Sequence, residues 1–429
     1  MTTTFHALGV PATVVDRLAA RGITDAFPIQ AMTLPDALAG RDVSGKAPTG
    51  SGKTLAFGIP LVTRLGGGKS SPRRPRGLVL VPTRELAAQV AGELELLAGQ
   101  KGPRVATFYG GVGYGEQMAA IRRGVDIVVA CPGRLADLVQ RDVLRLGEVE
   151  LAVIDEADRM ADMGFLPEVR RLLDAVRGDR QTLLFSATLD GDVDVLVQRY
   201  QRDPVRHELG EDESAPQHRH IFWKVDRAER VGVAAELLNR EWPAIVFTRT
   251  KHGADRLAKQ LTKHGVSAAA IHGDRSQAQR DRALAAFAAG KVQALVATDV
   301  AARGIHVDDV AAVVHFDLPG SEKDYVHRSG RTGRAGASGI VVALVDKDRT
   351  REAEDLQRKL GLEPGLHWPA LDALRDERHD ARPAARPAAA AAPAALHRPS
   401  GPELKRDRGR RPGPGAGQPH RRRRPARRG

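Results

Sequence analysis

Two kinds of apolar pattern alternate along the first 370 residues. Short unbroken runs occur at Leu78–Val81, Asp126–Ala130, Leu151–Ile154 and Thr182–Phe185, separated by longer stretches with helical spacing. A second set repeats the arrangement at Ala244–Phe247, Val292–Ala297, Ala311–His315 and Ile340–Val345. Strands of this continuous kind are buried on both faces, and the helices between them make βαβ units around a parallel sheet. The pattern predicts an α/β fold with two tandem parallel-sheet domains. A polar, Pro-punctuated stretch near 203–219 separates the two sets and places the boundaries at 1–206, a linker at 207–217, and 218–370. The Gly-, Ser- and Arg-rich stretch Gly66 to Arg76 reads as a mobile surface loop.

Composition changes this picture mainly at the C-terminus. The 429-residue chain carries 66 Lys and Arg against 53 Asp and Glu, a net +13. Residues 371–429 hold 16 basic against 6 acidic residues, leaving 50 against 47 for the rest. That segment has no Phe, Tyr or Trp and runs through Arg-Pro repeats, an Ala/Pro tract at 384–395 and Arg421 to Arg424. It buries too little apolar surface to offset its ordering entropy and reads as a disordered basic tail. The charge surplus calls for a polyanionic partner. Cys131, the sole cysteine, excludes an intramolecular disulfide and any Cys-rich metal site. No apolar run approaches the roughly 18 residues of a membrane span, the N-terminus lacks the pattern of a signal peptide, and a reducing cytoplasm is the expected location.

The strongest local signal is Ala47-Pro48-Thr49-Gly50-Ser51-Gly52-Lys53-Thr54, a glycine-rich turn opening a helix. Glycines let backbone N–H groups turn inward around phosphate oxygens, and the helix N-terminus adds positive potential. Lys53 would reach the β- and γ-phosphates, and the Thr54 hydroxyl would ligate Mg²⁺. Ala47 stands where the strict motif has Gly. Further on, Leu151 to Ile154 delivers Asp155-Glu156-Ala157-Asp158 to a strand's C-terminal end, where open α/β sheets form ligand crevices. Adjacent carboxylates at Asp155 and Glu156 can divide metal binding from the activation of water. A connecting loop and an acidic surface turn are the plain alternatives for these segments taken singly.

These segments, with others in a fixed order, resemble the DEAD-box RNA helicases of superfamily 2, close to the general bacterial type. Phe5 with Gly22 to Gln30 is similar to the adenine-reading Q motif. Pro82-Thr83-Arg84-Glu85-Leu86, Gly110-Gly111, Pro132-Gly133-Arg134 and Ser186-Ala187-Thr188 match motifs of the first domain. Val246 to Thr250, Gln277 with Arg280, Ala297-Thr298-Asp299 through Arg303-Gly304, and His327 to Arg334 follow in the second. The resemblance covers residues 5 to about 350 and implies two RecA-like domains binding ATP and Mg²⁺ between them. It implies Ile23, Gln30, Thr49, Gly50, Ser51, Gly52, Lys53, Thr54, Gly304 and His306 at the nucleotide, with Thr54 and Asp155 toward Mg²⁺, partly through water. Glu156, Asp155, Lys53, Arg331 and Arg334 would be catalytic, and Asp158, Ser186, Thr188 and His327 would couple hydrolysis to closure through hydrogen bonds from Ser186 and Thr188 to Asp158. Arg328, Arg331 and Arg334 recur every third residue among glycines, a dense set of guanidinium groups suited to a γ-phosphate met across a cleft.

The implied partner is RNA, held by Pro82, Thr83, Arg84, Gly110, Gly111, Pro132, Gly133, Arg134, Thr248, Arg249, Gln277, Arg280, Thr298 and Arg303. Small and basic groups suit phosphate and 2′-OH contact without base readout. Ribosomal or mRNA-decay ribonucleoproteins are compatible settings, with a monomeric chain and no membrane partner. Three positions depart from the family pattern. Ile23 replaces the aromatic seven residues before Gln30, His306 replaces an Asp associated with the ribose hydroxyls, and Cys131 replaces a Thr. Phe27, at the usual Thr position, reads as a core residue, with substitution for the missing aromatic as the other reading. His218 and His220 read as surface or linker histidines, and Trp223, Trp242 and Trp368 as packing residues. A superfamily 2 ATPase acting on DNA, or an annealing scaffold working through its tail, are the alternatives. Deleting residues 371–429 should flatten the salt dependence of RNA affinity by roughly 0.7 in log–log slope for each phosphate no longer neutralised, while ATPase rate at saturating RNA hardly changes; an unchanged slope would exclude a role for the tail in RNA affinity.

Overall fold

The structure is a computed structural model that describes residues 3–48, 50–209, 218–302, 310–333 and 339–374. The first domain is built on seven strands: β1 (Val43–Lys46), β2 (Gly77–Leu80), β3 (Val105–Phe108), β4 (Ile127–Ala130), β5 (Leu151–Asp155), β6 (Gln181–Ser186) and β7 (Val205–Glu208). The second has six: β8 (His218–Lys224), β9 (Ala244–Phe247), β10 (Ala268–Ile271), β11 (Ala294–Ala297), β12 (Ala312–His315) and β13 (Gly339–Val345). Their spatial orders are β3-β4-β2-β5-β6-β1-β7 and β10-β11-β9-β12-β13-β8. All these strand pairs are parallel.

The unbroken apolar runs have a direct explanation in the packing. Successive strand side chains point to opposite faces, and here each face has its own core. Leu151 and Val153 join one apolar cluster while Ala152 and Ile154 join the other. In the second domain Ala244 and Val246 face one cluster, Ile245 and Phe247 its counterpart. Helices therefore cover both sides of each sheet, as the pattern predicts for two parallel-sheet α/β domains.

Five strands escape that pattern, and four of them lie at sheet edges. β3, β7, β8 and β10 are each paired on one side only within their sheets, so part of each strand faces solvent. Val205–Glu208 alternates half-buried and exposed positions. The fifth, β1, is central but reads Val-Ser-Gly-Lys. Ser44 is buried there against the Gln201 side chain, and Gly45 lies under Phe185.

Other expectations need correction. β7 carries the first domain's sheet to Glu208, past the boundary at 206. Leu374, in a short 3-10 turn at Leu371–Leu374, is buried in the second domain's core, so that domain extends past 370. Tail deletions should accordingly begin at 375; residues 375–429 lie outside the described residues. The stretch Gly66 to Arg76 is pinned rather than mobile. Ser70 N–H donates to Asp126 (2.8 Å), Arg74 pairs with Glu148 (2.7 Å), and Arg76 with Glu150 (2.6 Å). His220 belongs to β8, its Nδ1 2.9 Å from the Tyr325 hydroxyl. Trp223 is a core residue, but Trp242 and Trp368 are exposed, the latter with the Lys224 ammonium 5.8 Å from its ring centre. No helix among the described residues is long and apolar enough to cross a membrane.

A Cβ at Gly45 would meet the Phe185 ring at 2.6 Å. Gly45→Ala should destabilise the first domain by about 1–3 kcal/mol through overpacking, read as a lower urea midpoint. Phe185→Leu in the same chain should recover part of the loss.

Candidate active site and nucleic-acid interface

Parallel strands deliver every connecting loop of a given sense to one end of the sheet, which is where the sequence-predicted residues collect. β1 ends at the phosphate loop, β2 at Pro82-Thr83-Arg84, β3 at Gly110-Gly111 and β4 at Pro132-Gly133-Arg134. β5 ends at Asp155 and Glu156, and β6 at Ser186. In the second domain β9 leads into Thr248-Arg249, β11 into Thr298, and the turn after β10 into Gln277 and Arg280.

The phosphate loop is shaped by two glycines in left-handed backbone, Gly50 (φ +92°) and Gly52 (φ +87°). Gly52 precedes the helix Lys53–Leu65. A Cβ there would collide with the Gln30 amide and lie 2.7 Å from the Phe27 ring. Gln30 donates to the Gly52 carbonyl (2.9 Å) and accepts from Phe27 N–H (2.8 Å). Lys53 is 8% exposed and donates to the carbonyls of Ala47 (2.9 Å) and Pro48 (2.7 Å). The Ser51 hydroxyl also donates to Pro48 (2.7 Å). A pocket of about 350 Å³ opens beside this loop, lined among others by Ile23, Phe27, Gly52, Thr54, Asp155 and Glu156.

Three carboxylates stand at the end of β5. Asp155, Glu156 and Asp158 are all buried. Glu156 adopts a left-handed backbone (φ +51°, ψ +51°), costly for a residue with a side chain and typical of sites where surrounding structure enforces it. Its N–H donates to Asp155 Oδ1 (3.0 Å). Burial pushes the Asp155 carboxyl up to about 7, with Lys53 opposing and Glu156 reinforcing the rise. The same burial lowers the Lys53 ammonium, which the three carboxylates partly restore. Glu156 Oε2 and Asp158 Oδ2 are buried without a hydrogen-bond partner. Ser186 Oγ accepts from the Asp158 backbone N–H (3.2 Å). The expected side-chain link from Ser186 is thus a backbone one, and Thr188 makes no hydrogen bond to Asp158 among the described residues.

The second domain meets this site directly. A pocket of about 140 Å³ is lined by Lys53, Glu156 and Asp158 from the first domain and by His327, Gly330 and Arg331 from the second. Arg331 is 2% exposed. Arg328, the first arginine of the series, is engaged otherwise. Its guanidinium forks onto Asp299 (2.5 and 2.7 Å) and donates to the Asp317 carbonyl (2.8 Å). Beneath it His315, buried and stacked on Tyr325 (4.4 Å between ring centres), is held well below the usual histidine range by burial and by Arg328. Thr49, Arg303, Gly304, His306 and Arg334 lie outside the described residues.

Several residues expected at RNA instead bind one another. Arg280 pairs with Glu85 (2.9 Å), both side chains 7% exposed. Gln277 donates to the same Glu85 (3.2 Å) and accepts from Arg84 (3.5 Å). Arg84 lies on Gly111, where a Cβ would displace its guanidinium. Thr83 caps the helix Arg84–Ala98 by accepting from Leu86 N–H. Arg134 donates to Gln117 (3.1 Å) and the Val112 carbonyl (3.2 Å) and lies over the Tyr114 ring (4.3 Å). Pro132 opens the helix Pro132–Gln140, while Gly133 is exposed. Thr248 and Thr298 are buried, whereas Arg249 is exposed, its N–H donating to Asp317 (2.9 Å). Cys131 is a buried thiol pushed up to about 12 by burial, so it stays protonated.

Phe5, grouped with the Q motif by sequence, is fully buried and supports the fold from within. Phe27 is the reverse: not a core residue but 53% exposed. Sequence reasoning missed the cross-domain partners Glu85 and Asp162, the latter paired with Lys323 (2.8 Å). Glu85 belongs to the Pro82-to-Leu86 motif but reads locally as an acid in a helix's first turn; nothing local marks Lys323.

The family model for DEAD/DEAH box helicase matches residues 27–196, and that for the helicase conserved C-terminal domain matches 229–336. The chain belongs to the DEAD-box family of ATP-dependent RNA helicases. It is 40% identical over 380 residues to DEAD-box ATP-dependent RNA helicase 30 of Arabidopsis thaliana, covering 86% of this chain and 64% of that protein. It is 40% identical over 359 residues to the helicase CshA of Bacillus cereus, covering 83% and 68%. Among solved structures, S. cerevisiae Dbp5 bound to RNA and ADP BeF3 superposes with a TM-score of 0.75 at 27% identity, covering 86% of this chain and 96% of that one.

The buried Glu85–Arg280 pair joins the two domains, and removing one partner leaves an uncompensated charge. A cycle of Glu85→Gln and Arg280→Met should return a coupling of about 0.5–3 kcal/mol in the interdomain equilibrium measured by fluorescence transfer. Strictly additive single effects would show that the pair does not hold the domains together.

Proposed function

We propose that this DEAD-box protein hydrolyses ATP to ADP and phosphate under stimulation by RNA, and uses closure of its two domains to separate short RNA duplexes or remodel ribonucleoproteins. The observation that carries the reading is the pocket lined at once by Lys53, Glu156 and Asp158 and by His327 and Arg331. A phosphoryl group seated there meets cationic groups from both domains, so the reactive arrangement exists only when the domains meet.

The residues also fit Mg²⁺. A divalent cation needs one or two carboxylates, with phosphate oxygens and water completing its shell. Buried carboxylate oxygens at Glu156 and Asp158 lack partners, and Asp155 is a carboxyl whose rise to about 7 a nearby cation would reverse. Asp155 and the Thr54 hydroxyl would hold the ion, partly through water, and the bound ion would neutralise phosphate charge. Lys53 exchanges its loop carbonyls for phosphate oxygens. Arg331 supplies a guanidinium against charge developing on the transferred group. Glu156, held by its left-handed backbone, orients the attacking water and takes its proton.

RNA lies, on this reading, along the strand ends that carry Arg84, Gly110, Gly111, Gly133, Arg134, Thr248 and Arg249. Its backbone is met without base readout. Arg280 and Gln277 act mainly by holding the second domain against Glu85 and Arg84. The chain works as a monomer with ribonucleoprotein substrates.

Glu156→Gln keeps size and hydrogen bonding but removes the base. RNA-stimulated phosphate release should fall by roughly 10²–10⁴-fold, while equilibrium binding of ATP and of RNA stays close to that of the unaltered protein. Persistent turnover would remove Glu156 from the role.

A further inference from the structure

We propose that the short helix Ala157–Asp162 is an interdomain key whose two charged side chains, Arg159 and Asp162, set the position of Arg331 at the phosphoryl site; the inference rests on the hydrolysis proposed above. Three positions apart on a helix, the two residues share one face. By sequence each is an ordinary solvated charge. In the structure Arg159 is 4% exposed, and Asp162 reaches the second domain.

Arg159 lines the 140 Å³ interdomain pocket together with Lys53, Glu156 and Arg331. It also closes a second cavity of about 10 Å³, too small for more than one water. The other described residues around that cavity, Asp299, Asp324, His327, Arg328 and Arg331 among them, all come from the second domain. A first-domain guanidinium is thus enclosed by second-domain side chains. Taking a charge out of water is costly unless opposite charge stands near, and Asp299 and Asp324 supply it. Asp162 makes the opposite match, with Lys323 at 2.8 Å, one residue before Asp324.

The two matches have reversed polarity. The first domain presents a cation and then an anion; the second presents an anionic pair beside a cation. Sliding or turning one helix against the other brings like charges together, which is costly at an interface. One register therefore satisfies both prongs, and it seats the helix Glu322–Ser329 against the helix Ala157–Asp162. Arg331 follows that helix by two residues, its N–H donating to the Arg328 carbonyl (3.2 Å), so it moves with the helix. The Glu85–Arg280 pair joins other elements, the helices Arg84–Ala98 and Gln277–Ala288, and leaves this register open. Arg159 and Asp162 act through Arg331 and are positioning residues.

The test measures RNA-stimulated kcat at saturating ATP and RNA, with ADP dissociation constants taken by calorimetry without RNA. The proteins are the parent, Asp162→Lys, Lys323→Asp, the double exchange, Arg159→Gln and Arg159→Lys. Each single exchange should lower kcat about two- to fivefold, the range for a partly exposed ion pair. The double exchange should return kcat toward the parent, because the two sites are coupled. Arg159→Gln should lower kcat about tenfold, and Arg159→Lys, which keeps the charge, should recover part of it. ADP affinity and melting temperature should match the parent throughout, whereas a merely structural role would shift melting and leave no rescue by exchange. Single exchanges with parental kcat, or a double variant no faster than the slower single, overturn the Asp162 prong. A folded Arg159→Gln protein with parental kcat overturns the Arg159 prong; if that variant does not fold, an Arg159→Lys protein as slow as one with no activity gained from the charge overturns it. A parent chain without RNA-stimulated turnover would instead overturn the activity on which the inference rests.

Discussion

Three carboxylates and one ammonium are held out of water at the end of β5, and much of the architecture exists to make that tolerable. Charges buried in this way are costly unless paired or hydrogen-bonded. Here Lys53 offsets the acids, Asp155 accepts from Glu156 N–H, and two carboxylate oxygens are left unsatisfied. Such a cluster persists only where the scaffold is rigid. A parallel sheet covered on both faces supplies that rigidity, with β5 flanked by β2 and β6 and fully buried along its length.

The same geometry explains why the second domain matters. Its strands also direct their loops toward the cleft, and it places Arg331 and His327 beside the first domain's acids. Arg328 and His315 do different work: the guanidinium clamps Asp299 and Asp317 while the neutral imidazole fills the space below. Within one short arginine-rich segment, one member ties down its neighbours and another lines the pocket where the two domains meet.

Much of this was legible in the sequence because burial on both faces writes a strand as an unbroken apolar run. Leu151–Ile154 and Ala244–Phe247 announced themselves that way. β7, with half its positions in solvent, did not, and β1 was hidden by Ser44 and Gly45, which the neighbouring Gln201 and Phe185 require. At the site, the residues of the phosphate loop and of Asp155 to Asp158 were readable because their chemistry is local. The partnership of Glu85 with Arg280 joins residues nearly two hundred positions apart, and no local pattern encodes it. Phe27 was misread because an aromatic beside Pro28 and Ile29 looks like core; only the fold shows its ring outside.

The edge of the second sheet carries one more consequence. After the last long helix, the chain returns so that His367 forms a parallel bridge with Trp223, donating to the Phe222 carbonyl and accepting from Lys224 N–H. An open edge strand is a template on which another chain can add, and proteins guard against this by covering it. The returning segment occupies hydrogen-bonding positions that β8 would otherwise offer to a stranger. The segment at His367 thus acts as a stopper over this part of the edge, closing it to edge-to-edge addition.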